Sequence, residues 1–398
     1  MIYVHVPFCR SFCTYCGFYS EVAPKCRKDD DALRQESLFE DYAEALEAEI
    51  RARQDDIQRV FASSDVNTLY IGGGTPSVLP LHVLDRILKA LGRTGFKEFT
   101  FEVNPEDVVE KGSAYVRGLL EMGVNRISMG VQSFDDSVLK WMNRRHTSAQ
   151  AVEAYRILED AGVGNISIDL IFGLPQMTDT LWRQTLDSAL AISSRGVPPA
   201  HISAYQLSVE EDSMLEKMIS RGKCSQAPED ACERQYALLC KMLGAAGYNH
   251  YEISNFARPG LEAVHNSAYW RHIPYVGLGP GAHSYLAGAD GTASEDASCG
   301  KRQWNKTDLT GYVEAGKSGD FSPVHGGETL DAEQMTIERI MLGLRTSAGV
   351  PETFLRQHCS ASALDEAIGC GSLVSSGGNL RIPEERFFIS DNIISSII

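Results

Sequence analysis

The sequence predicts an α/β protein: a partial parallel barrel of six βα units, followed by a smaller, mainly helical C-terminal domain. Three observations predict it. Through residues 1–246, short runs rich in β-branched and aromatic residues alternate with longer helical patterns. Polar residues collect at one end of successive β-rich runs. From residue 307 onward the alternation gives way to helical periodicity. Strands alternating with helices imply a parallel sheet with right-handed crossovers. Six units suit a curved, incomplete barrel; a doubly wound sheet is the competing arrangement, and periodicity does not separate the two.

Taken in order, strands are expected at 2–6, 67–71, 98–103, 126–131, 165–172 and 201–207. Helices are expected at 38–53, 81–91, 106–122, 135–142, 148–161, 180–194 and 230–246. The run Asp29–Asp31 reads as a solvated loop. Residues 247–306 are rich in Gly, His and aromatics and read as an irregular, site-forming segment; the tract 288–300 reads as a mobile excursion. The C-terminal domain, 307–398, should carry helices at 309–315, 331–346 and 351–358, with short strands at 380–382 and 387–389.

Composition is that of an ordinary globular protein: 398 residues, 43% hydrophobic and 23% charged, long enough for a large domain plus a smaller one. A net charge of −16 argues against binding nucleic acid or anionic lipid. No apolar run is long enough for a transmembrane helix. The N-terminus has neither the basic nor the apolar region of a signal peptide, so a cytoplasmic protein is expected. The cysteines should then be thiols. Seven are scattered: Cys26, Cys224, Cys232, Cys240, Cys299, Cys359 and Cys370. Cys232 and Cys240 fall in a helical pattern as small packing residues.

The other three, Cys9, Cys13 and Cys16, form a C-x3-C-x2-C cluster just after the first strand. A loop with this spacing can wrap three irons of a [4Fe–4S] cluster and leave the fourth open to a ligand. Zinc would want a fourth ligand and paired spacing; a redox CxxC lacks its thioredoxin-like context. The second strand runs into Gly72-Gly73-Gly74-Thr75-Pro76, which lets backbone approach a ligand closely but has no P-loop or dinucleotide signature. Glu102-Val103-Asn104-Pro105 and Gly130-Val131-Gln132-Ser133 end the third and fourth strands, and Asp169 interrupts an apolar fifth strand, where a carboxylate must be satisfied or functional.

The cysteine motif, with Tyr15 before its last cysteine, resembles that of radical-SAM proteins. That resemblance implies S-adenosylmethionine (SAM) on the open iron, reductive cleavage to a 5′-deoxyadenosyl radical, and an electron donor for the cluster. YVHVPFC, GGGTPS, FEVNPE, RISMGVQSF, NRRH and SIDLIFGLPQ together resemble the oxygen-independent coproporphyrinogen III dehydrogenase family across most of the chain. The resemblance implies SAM contacts from Tyr3, Tyr15, Gly73, Gly74, Thr75, Glu102, Gln132, Arg144 and Asp169, and extends to Gln206 and His283. Glu102 would bind ribose hydroxyls; Gln132, Arg144 and Asp169 would surround a second SAM. On residue chemistry alone, Arg144 is equally an ordinary surface arginine beside Arg145 and His146.

Three features separate this chain from the dehydrogenase itself. Its motif continues Cys16-Gly17-Phe18 where the dehydrogenase has a further cysteine, and Cys9 lies too near the start for the dehydrogenase's N-terminal extension. His265-Asn266-Ser267-Ala268-Tyr269-Trp270 matches HNxxYW, which resembles the haem-chaperone branch of the family. That branch implies haem binding and transfer to acceptor haemoproteins such as respiratory enzymes, and leaves room for a homodimer. His265 would be an axial ligand, with His250 and His272 as alternatives, and Tyr269 and Trp270 would pack on the porphyrin. From the residues alone, His265 and Trp270 pinning a loop onto the barrel stands beside that reading. Oxidative decarboxylation of coproporphyrinogen III is the alternative activity.

Overall fold

Alternation of apolar and polar side chains builds the central sheet of the computed structural model, which describes residues 1–24, 29–288 and 299–398. Six strands, β1 (Ile2–Val6), β2 (Thr68–Gly73), β3 (Glu98–Val103), β4 (Arg126–Gln132), β5 (Ile166–Phe172) and β6 (His201–Gln206), pair in parallel in sequence order. β7 (Asn249–Glu252) and β8 (Asn255–Ala257) extend one edge antiparallel, and β9 (Val276–Leu278) lies parallel to β1 on the other.

Successive strand residues point to opposite faces. Leu69 and Ile71, Phe99 and Phe101, Ile127 and Met129, and Ile168 and Leu170 are buried in the core. Their neighbours Tyr70, Glu102, Arg126, Ser128, Asp169 and Ser203 instead line a cavity. This decides between the two architectures. A doubly wound sheet has two apolar faces under helices; this sheet has one, and its polar face curls round a lumen. It is a partial barrel.

The helices follow their sequence signals. Leu81–Leu91 buries Val83, Leu84, Ile87 and Leu91 and stops at Gly92, which takes the left-handed C-cap conformation. Ser148–Ala161 starts at a capping box of Thr147 and Gln150. Asp29–Asp31, expected as a loop, instead begin the helix Asp29–Ala52, consistent with the preference of carboxylates for helix N-termini.

The C-terminal part is mainly helical: Leu309–Ser318, Ala332–Leu344, Glu352–His358, Ala361–Gly369 and Ser390–Ile397. It docks closely on the barrel. A Cβ on Gly316 would lie 2.4 Å from Ala45 Cα. Buried Glu49 accepts hydrogen bonds from Tyr312, Asn305 and the Gly279 N–H.

Two expectations need correction. Among the described residues, the segment 247–306 is not irregular: it holds β7, β8, β9, the helix Val264–Trp270 and strands His283–Ala287 and Cys299–Asn305. These elements are short and find their partners far away in sequence, so local patterning is weak. Residues 387–389 are not a strand; they end the 3-10 turn Glu384–Ile389, which feeds the last helix. The other short strand is present as Asn379–Arg381, paired with Val374–Ser376. Within the tract 288–300, residues 289–298 lie outside the described residues, as does Cys26. Among the described residues, no helix is long and apolar enough to cross a membrane.

Candidate functional site

The loop after β1 carries the three cysteines and is held from several sides. The Thr14 N–H and hydroxyl donate to the Met142 and Trp141 carbonyls, and Asn143 donates to the Phe12 carbonyl at 2.6 Å. The Leu215 N–H donates to Thr14. Arg10 bridges Asp107 and Glu110. The glycine loop after β2 lies against it: the Gly74 N–H donates to Val6 and the Thr75 N–H to Phe8, at 2.8 and 2.7 Å.

All three thiols border one cavity of about 740 Å³. Burial pushes the Cys9 thiol up against a lowering hydrogen bond with Thr75, and pushes Cys16 up to about 11. Metal binding must therefore displace protons. Arg144 sits over the group, with Nη1 3.5 Å from Cys13 Sγ. Its Nη2 donates to Asn104 Oδ1 at 2.6 Å and to the Gly130 carbonyl at 2.7 Å, while its buried Nε has no partner. Among the described residues, no three His, Cys, Asp or Glu side chains close round a single ion. A cubane places each thiolate on a different iron and so asks for wider spacing than zinc. Three thiols, a cationic neighbour and open space beneath fit a [4Fe–4S] cluster with one iron left without a protein ligand.

Below the thiols the lumen is polar. Glu102 accepts from the Tyr70 hydroxyl at 2.6 Å and the Gly73 N–H at 3.2 Å; burial raises its carboxyl to about 7. Burial also raises Asp169, which accepts from Ser128 at 3.2 Å. Gln132 ends β4 at a register irregularity with φ of 65°, a conformation uncommon outside glycine and concentrated at functional sites. Tyr3 and Tyr15 are half-buried in the cavity wall, and desolvation there raises both phenols.

The structure brings together the three cysteines, Tyr3, Tyr15, Gly73, Gly74, Thr75, Glu102, Gln132, Arg144, Asp169 and Gln206 round this one cavity. Arg144 is half-buried in the wall of the site and is not an ordinary surface arginine. The glycines serve the protein itself. A Cβ on Gly73 would meet the His5 ring at 2.6 Å, and one on Gly74 would meet the Phe8 carbonyl oxygen at 2.6 Å.

The HNxxYW residues lie at the opposite end. The helix Val264–Trp270 plugs the barrel where β2 and β3 begin: the Val264 and His265 N–H groups donate to Glu98. His265 Nδ1 is 2.8 Å from Thr68 Oγ1 and Nε2 is 3.1 Å from the Tyr269 hydroxyl. Both ring nitrogens are thus engaged, and burial lowers the imidazole to about 3. His265 and Tyr269 border the cavity floor; Trp270 and His283 do not border the cavity. Trp270 Nε1 is buried without a partner. His283 is exposed, stacked on Trp304 with ring centroids 5.9 Å apart.

Reading strand ends alone missed Tyr70, Arg126, His201 and Ser203, which also line the lumen. The signal was available as period-two alternation along each strand: Arg126 and Ser128, or His201 and Ser203, point the same way.

A parallel partial barrel whose polar lumen opens at three clustered thiols defines a radical-SAM protein. A model of the radical SAM superfamily matches residues 3–189. The solved structure of coproporphyrinogen III oxidase (HemN) from Escherichia coli superposes with a TM-score of 0.73 over 99% of this chain and 89% of that one, at 21% identity, which speaks to the fold. The heme chaperone HemW of Synechocystis sp. is 35% identical, covering 87% of this chain and 78% of that protein. HemW of Lactococcus lactis is 33% identical, covering 87% and 82%. The chain belongs to the HemW family of radical-SAM proteins, a class whose cofactors are a [4Fe–4S] cluster and SAM.

Proposed function

We propose that this chain is a haem chaperone that binds haem and hands it to acceptor haemoproteins. Cys9, Cys13 and Cys16 hold the cluster, and the cavity beneath them receives SAM. When bound and reduced by an external donor, the cluster supplies an electron to SAM. Tyr70 and the Gly73 N–H hold Glu102 ready to accept from ribose hydroxyls. Arg144, pinned by Asn104 and Gly130, holds a fixed positive charge beside Cys13 and faces the same space as Gln132 and Asp169.

One observation carries the chaperone reading over the dehydrogenase reading. Position 18, where the dehydrogenase pattern has a cysteine, is Phe18, and its ring is 71% exposed at the cavity mouth. Phe12, which also lines the cavity, is exposed as well, and so is Met214, next to the Leu215 that bonds the cysteine loop. Exposed large apolar side chains grouped at a mouth mark a binding surface, and a porphyrin plate is a flat apolar partner. The HemW names of relatives across most of the chain support the same reading.

The test is anaerobic. The reconstituted protein receives SAM, reductant and coproporphyrinogen III in one tube, and haem followed by an apo-haemoprotein in another. Haem uptake in the Soret band, transfer to the acceptor, and unchanged porphyrinogen by mass spectrometry are expected. Catalytic loss of two carboxyl groups would overturn the chaperone reading in favour of the dehydrogenase.

A further inference from the structure

We propose that the floor of the barrel is a second binding subsite, in which Arg126 takes the carboxylate of a ligand entering from the mouth. Arg126 opens β4, is 3% exposed and borders the cavity. Its Nε is buried without a partner, and among the described residues its guanidinium makes no ion pair. Desolvating a cation without a paired anion is costly.

Its surroundings offer no replacement. His201 spends Nδ1 on Ser167 and Nε2 on Tyr251, both at 2.8 Å. His265 is likewise committed to Thr68 and Tyr269. Both imidazoles are held neutral, chiefly by burial and further by Arg126 itself. The acidic groups that feel its field, Glu102 and Asp169, belong to the neighbouring strands, and neither forms an ion pair with it.

The chemistry of the ligand follows. A guanidinium fork matches a planar carboxylate with two parallel hydrogen bonds. A dianionic phosphate would be repelled by Asp169 and Glu102 in the same lumen more strongly than a singly charged carboxylate. The subsite is also separate from the thiols. Arg126 and Gln132 are the two ends of one strand, about 20 Å apart at roughly 3.3 Å per residue. The inference needs only the cavity and stands whether or not the chain carries haem.

The test uses the full chain, without added cofactor, in low chloride near neutral pH. Binding of 13C-propionate is followed by NMR line broadening. Saturable binding is expected, weakened at least tenfold in Arg126→Met and unchanged in Arg117→Met, which removes an exposed outer charge. Should Arg126→Met fail to fold, Arg126→Lys keeps the charge without the fork and is expected to weaken binding several-fold. Wild-type-like binding in the Arg126 variants, or no saturable binding in the wild type, overturns the subsite and leaves Arg126 as a counter-charge to Glu102 and Asp169. Tighter binding of inorganic phosphate than of propionate overturns the carboxylate assignment.

Discussion

Replacing Gly74 by alanine tests whether the glycine loop is fitted to the cysteine loop. The added Cβ would lie 2.6 Å from the Phe8 carbonyl oxygen, 2.9 Å from the Phe8 nitrogen and 2.9 Å from the Val6 carbonyl oxygen. All three are backbone atoms, so no side-chain rotation relieves the contact. Restoring ordinary van der Waals distance means parting the two loops by about 0.8 Å. The hydrogen bonds Gly74 N–H to Val6 and Thr75 N–H to Phe8, now 2.8 and 2.7 Å, would then stretch past useful length. Two such bonds contribute about 1 kcal/mol each, and overpacking costs about 1–3 kcal/mol, so a loss of roughly 3–5 kcal/mol is expected. Cys9 adjoins Phe8, so the same movement displaces a thiol. The assay pairs urea unfolding with iron content after anaerobic reconstitution. Gly92→Ala is the control: its φ of +63° also disfavours alanine, but nothing lies within 4 Å of the new atom, so a loss of about 1 kcal/mol with full iron uptake is expected. A Gly74→Ala protein that unfolds at the wild-type urea concentration and takes up iron normally would refute the reasoning.

Four further outcomes are expected. The Glu102 carboxyl is raised from 4.5 to about 7, so its protonated form favours folding; that contribution is full below about pH 4.5 and lost as pH rises through 7. Glu102→Gln should therefore gain stability over the wild type between pH 5 and 8, by on the order of 3 kcal/mol, while SAM affinity falls; a pH-independent difference in urea unfolding would exclude this. His265→Ala strips partners from Thr68 and Tyr269 and opens a void in the barrel floor, costing about 2–4 kcal/mol. Because both its nitrogens are spent within the protein, the Soret band of the haem complex should not move; a shifted band would show that His265 leaves Thr68 or Tyr269 for iron. Phe18→Ser should weaken haem uptake by about ten- to a hundredfold, the worth of burying a phenyl ring, with iron content intact; unchanged haem affinity would remove Phe18 from the haem surface. Cys16→Ser should abolish cluster assembly while leaving the melting temperature of the cluster-free protein within a few degrees, checked by iron analysis and calorimetry.

Much of the cavity's upper half was legible from the chain because its signals are local. The spacing of Cys9, Cys13 and Cys16 fits within one loop, and Glu102, Gln132 and Asp169 sit at or near strand ends, where a βα barrel keeps its chemistry. Arg144 was ambiguous, since a basic run looks alike on a surface and in a pocket; its place beside Cys13 depends on Asn104, which follows β3, and on the Gly130 carbonyl of β4. The lower half was not legible. Arg126 and His201 stand at strand starts, and only closure of the sheet turns them into one lumen.

The sequence by itself determined the six parallel strands, most of their helices and the cluster loop, because hydrophobic period and loop spacing act over a few residues. Only the tertiary structure decided that the sheet curls with its polar face inward, that the described residues of 247–306 form short strands and a helix, and that HNxxYW plugs the floor far from the thiols. Those outcomes rest on pairings such as His265 with Thr68, 197 residues apart, and Arg53 with Gly277, 224 residues apart. Contacts of that span leave no periodic trace in either partner, since each residue is specified by the environment the other provides.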